Sequence, residues 1–145
     1  MFIKQISIFI ENKKGKLAEI TSILSKNNIN IYAISIADTA NFGILRIIVD
    51  KISEAEYLIK EKGYTVSITE VIAVQISDKP GGLNEVLNIL DNHDINVEYL
   101  YSFAHQPSRN AFIIFRVEDT QKEEALNILK SSKIRLILQE EIHRL

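Results

Sequence analysis

Two short turns hold the residues whose types and spacing point most directly to chemistry. The first is Asn12-Lys13-Lys14-Gly15-Lys16-Leu17, and the second is Asp78-Lys79-Pro80-Gly81-Gly82-Leu83. Each turn precedes an apolar helical stripe, and a helix N-terminus presents unpaired backbone N–H groups with a partial positive charge. Such an end readily holds a carboxylate or phosphate. Because Gly15 and Gly81 have no Cβ, a ligand can approach the backbone closely, so the turns predict an anion-binding site.

Four polar side chains are candidates to complete this site. Asn12 and Asp78 stand in the turns, where each can cap the helix or accept a hydrogen bond from an ammonium group. Asn30 and Asn96 stand in apolar strands, where asparagine is disfavoured and a buried amide needs partners. Turn chemistry at the start of a strand explains these two asparagines. The alternative is a paired amide site, Asn12 with Asn30 and Asp78 with Asn96.

An internal duplication relates the two sets of residues. Residues 6–30 align without a gap with residues 72–96, and ten of the 25 positions are identical. The agreement covers a strand, a turn and a helix together, which makes chance similarity between two βα units a poor explanation.

Each copy predicts the order βαββαβ, which is the ferredoxin-like split arrangement. In the first strand Ile6, Ile8 and Ile10 alternate with polar or outward residues, and in the first helix Leu17, Ile20, Ile23 and Leu24 form one stripe. Leu83, Val86, Leu87, Ile89 and Leu90 repeat that stripe. The remaining predicted strands and helices are Ile29–Ala37, Phe42–Val49, Ser53–Lys62 and Thr65–Val71 in the first copy, and Ile95–Ala104, Ala111–Val117, Gln121–Lys130 and Ile134–Glu140 in the second.

The predicted fold class is therefore α+β, with two ferredoxin-like units, residues 1–69 and 70–145, each an antiparallel sheet with helices on one face. No Pro/Gly/Ser-rich linker separates the copies, and the last strand of the first runs almost directly into the first strand of the second near residues 70–72. Extra residues in the second copy fit a longer hairpin around residues 106–110.

Composition narrows the classes of function. The net charge of −2 differs from the excess of basic residues that is typical of nucleic-acid-binding proteins. The absence of cysteine excludes disulfides and thiolate chemistry. No signal peptide or membrane helix is apparent, so the sequence predicts a cytoplasmic protein. His93, His105 and His143 are too scattered for a metal cluster, and no cofactor is expected.

Two further patterns receive ordinary interpretations. Tyr99, Tyr101 and Phe103 alternate along one strand, as core or interface residues do; an aromatic RNA platform would also need basic surroundings. The acidic pairs at residues 123–124 and 140–141 are sequence neighbours that point apart, so they are expected to be solvated rather than a general acid/base couple.

The sequence resembles the ACT domain family in its βαββαβ order, its Asp/Asn-x-Pro-Gly-x-Leu turn and its Ile-Asn-Ile/Val entry to the second strand. ACT domains are small regulatory modules that bind amino acids. The resemblance implies a ligand site where the first turn of one module meets strand two of a partner module. It thereby implicates Asn12, Gly15, Leu17 and Asn30 in the first copy, and Asp78, Gly81, Leu83 and Asn96 in the second. Lys14 departs from the pattern, since it stands where the family usually has proline.

The sequence thus predicts a tandem ACT protein without catalytic activity that binds a free amino acid as a homodimer or larger homo-oligomer. One alternative is a regulatory small subunit of a biosynthetic enzyme, such as that of acetohydroxyacid synthase, with a catalytic subunit as partner. An enzyme on the same scaffold would need a cleft of convergent titratable groups, which the sequence does not indicate. A purely structural interaction module is the remaining alternative.

Overall fold

The structure is a computed structural model that describes residues 1–38, 40–104 and 110–144. The chain divides into two compact units. The N-terminal unit contains residues 4–69, and the C-terminal unit contains residues 70–145 together with residues 1–3. The hairpin predicted around residues 106–110 lies largely outside the described residues.

The N-terminal unit has the predicted ferredoxin-like architecture. The elements are β1 (Ile3–Glu11), α1 (Lys16–Lys26), β2 (Ile31–Asp38), β3 (Phe42–Val49), α2 (Ile52–Glu61) and β4 (Thr65–Ser77). The strands follow the spatial order β2-β3-β1-β4, and β3 pairs antiparallel with both β1 and β2. The sequence predicted that the last strand of the first copy runs almost directly into the first strand of the second. In the structure the two are one continuous strand, because β4 continues past residue 69.

The C-terminal unit repeats this architecture, with β4 now serving as its first strand. The elements after β4 are α3 (Gly82–Asp91), β5 (Val97–Ser102), β6 (Asn110–Val117), α4 (Lys122–Ser131), β7 (Arg135–Leu136) and a 3-10 helix at Gln139–Arg144. Strand β6 pairs antiparallel with β4 and β5, and the short β7 pairs with β4.

Each unit has its own apolar core between its helices and one face of its sheet. In the N-terminal unit the alternating Ile6, Ile8 and Ile10 of β1 pack with Ile20 and Leu24 of α1, and all five are buried. The C-terminal core is built from the corresponding positions of β4 and α3. The period of two in the strands and the helical stripe therefore select the same buried face, as predicted from the sequence.

Two details of the sequence-based fold were wrong. Leu17, placed on the inward stripe, is 40% exposed because it lies in the first turn of α1, ahead of the first buried position at Ile20. The last strand, predicted at residues 134–140, is only two residues long. Glu141 accepts a hydrogen bond from the Leu138 N–H at 2.7 Å and pairs with Arg135, and these contacts turn the chain into the 3-10 helix.

The start of α3 depends on a glycine at one point of close approach. A Cβ at Gly82 would lie 2.2 Å from the carbonyl oxygen of Ser77, which is backbone and cannot swing aside. At Gly15, by contrast, a Cβ would have no atom within 4 Å, and only the left-handed φ of +89° disfavours a side chain.

We therefore expect Gly82→Ala to lower the free energy of unfolding by about 3 kcal/mol or more, because the backbone must move to relieve the overlap. Gly15→Ala is the control and should cost about 1–2 kcal/mol, the penalty for a side chain in the left-handed region. Urea unfolding followed by circular dichroism measures both. A Gly82→Ala variant as stable as Gly15→Ala would contradict this account.

Candidate ligand-binding site

The two glycine turns have the same backbone geometry. Gly15 precedes α1 with φ/ψ of 89°/−13°, and Gly81 precedes α3 with 89°/−9°. The first regular helical hydrogen bonds run from the Glu19 N–H to the Gly15 oxygen at 2.9 Å and from the Glu85 N–H to the Gly81 oxygen at 3.0 Å. No described side chain caps either helix. The Lys16 N–H donates to the Lys13 oxygen at 3.3 Å and the Gly82 N–H donates to the Lys79 oxygen at 3.1 Å, so the capacity to bind an anion rests with the later amides of each first turn.

Asn12 and Asp78 are exposed in these turns. Neither caps the helix that follows, so the capping role considered from the sequence is not observed. The Asn12 N–H donates to the Asn41 oxygen at 2.9 Å, which fixes the backbone of the first turn against the start of β3. The side chains of Asn12 and Asp78 are thus accessible to a ligand at the turn.

Lysines surround the first turn. Lys13, Lys14 and Lys16 lie at the N-terminal end of α1, where a helix carries its partial positive charge. Lys13 pairs with Glu11 at 2.7 Å, and this hydrogen bond is the main cause of a lowered Glu11 pKa. Cations are unfavourable at this end of a helix, so a bound anion would relieve their repulsion.

The sequence predicted Asn30 and Asn96 within apolar strands, but the structure places both just before the second strand of their units, where they are exposed and are not buried amides. The Asn30 N–H donates to Asp50 Oδ1 at 3.0 Å, and the Asn96 N–H donates to Gln121 Oε1 at 3.4 Å. The equivalent bonds show that the positions serve the same backbone turn in both copies. Asn30 also borders a polar cavity of about 490 Å³ whose other lining residues are Thr21, Leu24, Ser25, Asn28, Ile29, Ile31 and Asp50.

Within one unit the turn and the asparagine lie at opposite ends of a helix. Asn12 precedes α1 and Asn30 follows it, and eleven helical residues span about 16 Å. Asp78 and Asn96 are separated in the same way by α3. One unit therefore does not bring the predicted amide pairs together. Leu17 and Leu83 lie on the first turns of these helices, beside Gly15 and Gly81.

The structure adds a group of residues that the sequence interpretation did not include. Tyr64, after α2, donates its hydroxyl to Glu19 Oε1 on α1 at 2.7 Å. The Lys16 Nζ lies 5.9 Å from the centre of the Tyr64 ring. Burial, followed by the bond to Glu19 and the charges of Glu19 and Glu11, raises the pKa of Tyr64 to about 12. Glu19 corresponds to Glu85 in the second copy, but Tyr64 corresponds to Ile134. Comparison of the two copies therefore could not predict the contact between Glu19 and Tyr64.

The remaining candidates have structural explanations. Among the described residues no group of three or more metal-ligating side chains occurs. The His93 Nδ1 lies 2.8 Å from the Ile89 oxygen, whereas His105 falls outside the described residues. Phe103 is buried and packs edge-on against Phe112 at 6.1 Å, whereas Tyr99 and Tyr101 lie on β5, which pairs only with β6 in the described sheet order. Over the ranges that the structure covers, no helix combines the length and apolarity needed to cross a membrane.

The fold and the repeated turn define a tandem of two ferredoxin-like modules. The chain matches the ACT domain pair family over residues 1–145, and it belongs to that family. None of the curated proteins matches it.

Solved structures share this fold. Protein BT0572 from Bacteroides thetaiotaomicron is 37% identical, with a TM-score of 0.91, covering 100% of this chain and 98% of that one. The ligand-free regulatory subunit of aspartate kinase from Thermus thermophilus shares the fold at 15% identity, with a TM-score of 0.63 and coverage of 88% and 91%. The corresponding subunit from Thermus flavus has 16% identity, a TM-score of 0.61 and coverage of 88% and 90%.

The Tyr64 contact gives a prediction about pH. Because the folded pKa of about 12 exceeds the usual value of 10.0, the contact stabilises the fold fully below pH 10 and is lost as the pH rises towards 12. Tyr64→Phe should therefore lower the free energy of unfolding by about 1 kcal/mol at pH 8, and this difference should shrink above pH 10.

Urea unfolding at several pH values measures the effect, and Tyr57→Phe is the control because Tyr57 is 62% exposed. NMR of labelled tyrosine rings follows the ionisation directly. A difference between wild type and Tyr64→Phe that stayed constant up to pH 12 would show that the raised pKa is not linked to folding.

Proposed function

We propose that this chain is a cytoplasmic amino-acid sensor without catalytic activity of its own, whose ligand binds between ACT modules. The observation that carries the proposal is the uncapped helix start with a left-handed glycine, present twice with nearly identical dihedral angles. A carboxylate at this position would accept hydrogen bonds from backbone amides and meet the positive end of the helix.

The second half of the site is proposed to come from another module. Helix α1 separates Asn12 from Asn30 within one unit. A ligand that contacts both residues therefore needs Asn12 from one chain and Asn30, just before β2, from a second copy of the chain. Two copies related by a twofold axis with antiparallel α1 helices would place each turn beside the partner's Asn30, and the contact would be made twice. The amide oxygen of Asn30 is the proposed acceptor for the ligand's ammonium group.

We propose that the chain regulates an enzyme, because it belongs to the ACT family and shares its fold with regulatory subunits. The fold is shared with regulatory subunits of aspartate kinase from two Thermus species. The chain spans 91% of the Thermus thermophilus neighbour, which supports the second candidate function, that of a separate regulatory subunit acting on a biosynthetic enzyme. Co-purification of a catalytic subunit with the tagged full chain would favour this candidate over an independent sensor.

Calorimetric titration of the full chain with each of the twenty amino acids tests ligand binding. We expect at least one to bind at millimolar concentration or below, and Asn30→Ala to weaken that binding about ten-fold or more through loss of a hydrogen bond to a charged group. Asn88→Ala, an exposed substitution on α3, is the control and should leave the affinity unchanged. If none of the twenty binds, the sensor function is refuted.

Assembly gives an independent test. A ligand that bridges two copies stabilises the assembled state by mass action, so saturating ligand should raise the dimer fraction in analytical ultracentrifugation. The Asn30→Ala variant should lack this response at the same ligand concentration. Binding without any change in the monomer–dimer equilibrium would place the ligand inside one module.

A further inference from the structure

A second cavity, of about 230 Å³, lies wholly within the N-terminal unit. It opens between the N-terminal end of α1 and the turn that joins α2 to β4, and so lies away from Asn30. This volume corresponds to about eight waters at their share of liquid volume, which is enough for a molecule of amino-acid size. Its lining includes Phe9, Lys16, Glu19, Phe42, Lys62 and Tyr64.

The charged side chains of this cavity have unused bonding capacity. Glu19 accepts the Tyr64 hydroxyl through Oε1, which leaves its second carboxylate oxygen for another donor. Lys16 is already placed over the Tyr64 ring, and Glu11 is offset by Lys13. Lys62 forms no ion pair with any carboxylate in the part of the chain that the structure describes. Glu11 and Lys16 also line the cavity. Beside them the cavity presents the carboxylate of Glu19 on α1 and the ammonium group of Lys62 in the α2–β4 turn.

An aromatic wall completes the cavity. The rings of Phe9 and Phe42 stack with centroids 5.0 Å apart and an interplanar angle of 25°. Their side chains are nevertheless 49% and 42% exposed. Covering this apolar surface with a ligand side chain is favourable in proportion to the area removed from water.

We propose that this cavity binds an α-amino acid with an apolar or aromatic side chain, at a site separate from Asn30. The ammonium group of the ligand bonds to Glu19, its carboxylate to Lys62, and its side chain packs on Phe9 and Phe42. Tyr64 positions Glu19 through the hydroxyl contact. The proposal shares with the proposed function only the premise that the chain binds an amino acid, and it needs no second copy of the chain.

The C-terminal unit supplies a natural comparison. Its equivalent cavity, of about 190 Å³, retains Glu85 and has Lys133 in the turn after α4. Gln75 stands in place of Phe9, Ile134 replaces Tyr64, and Gly82 replaces Lys16. A residue with a side chain does not fit at position 82, because its Cβ would lie 2.2 Å from the Ser77 oxygen. Without an aromatic wall, this cavity should not retain an apolar amino acid.

Ring NMR and calorimetry of the full chain test the proposal with L-phenylalanine and L-leucine. The Tyr64 ring signal, assigned with Tyr64→Phe, should shift on addition of either amino acid. Glu19→Gln keeps an acceptor for Tyr64 but removes the charge, and both it and Lys62→Gln should weaken binding about ten-fold or more. Glu85→Gln in the C-terminal cavity is the matched control and should change the affinity less than two-fold, roughly the scatter of such measurements.

Two truncated probes test the need for both charges. 3-Phenylpropionate lacks the ammonium group and phenethylamine lacks the carboxylate, so each should bind at least about ten-fold more weakly than L-phenylalanine. If amino-acid binding is lost in Asn30→Ala but unchanged in Glu19→Gln and Lys62→Gln, this site is refuted while the proposed sensor function stands. If no amino acid binds the wild-type chain, both proposals fail.

Discussion

The left-handed backbone at the start of α1 and α3 is the constraint on which the proposed chemistry depends. Gly15 and Gly81 both have φ of +89°, a conformation that L side chains rarely adopt, and this bend leads each first strand directly into its helix. No side-chain cap occupies the bend, so the amides of the first helical turn that follow Lys16 and Gly82 remain available. The same feature thus fixes the path of the chain and would hold the carboxylate of the proposed ligand.

The two copies share the backbone geometry of this turn, but the side chains around the turn differ. In the N-terminal unit the turn is rich in lysine, and Tyr64 links Glu19 to the α2–β4 turn. In the C-terminal unit the helix begins with Gly82, whose close contact with Ser77 excludes any side chain. One copy therefore combines charge with an aromatic wall, whereas the other keeps mainly the backbone geometry. The two turns should consequently differ in the ligands that they retain.

Helix α1 separates the two surfaces that are proposed to bind a ligand. Its C-terminal end and the residues that lead into β2 carry Asn30 beside a polar cavity, and this surface is the one proposed to contact a second module. Its N-terminal end faces a smaller cavity with Glu19 and an exposed aromatic stack. Binding at the first surface would be coupled to assembly, whereas binding at the second would stabilise one unit alone. The two sites can therefore be distinguished in solution by whether ligand binding changes the oligomeric state or only the stability of one unit.

The sequence by itself determined the ACT architecture, because strand alternation, the helical stripe and the glycine turn recur together in both copies. It also located the two glycine turns, since only glycine adopts their backbone conformation readily, whereas the structure showed that neither Asn12 nor Asp78 caps the helix that follows. It failed where contacts are non-local: the last strand ends early because Glu141 binds Leu138 and Arg135, and Leu17 is exposed by its place in the first turn. Only the tertiary structure separated Asn12 from Asn30 within a unit and joined Glu19 to Tyr64. Residues 45 apart in the chain meet through packing, which local periodicity does not encode.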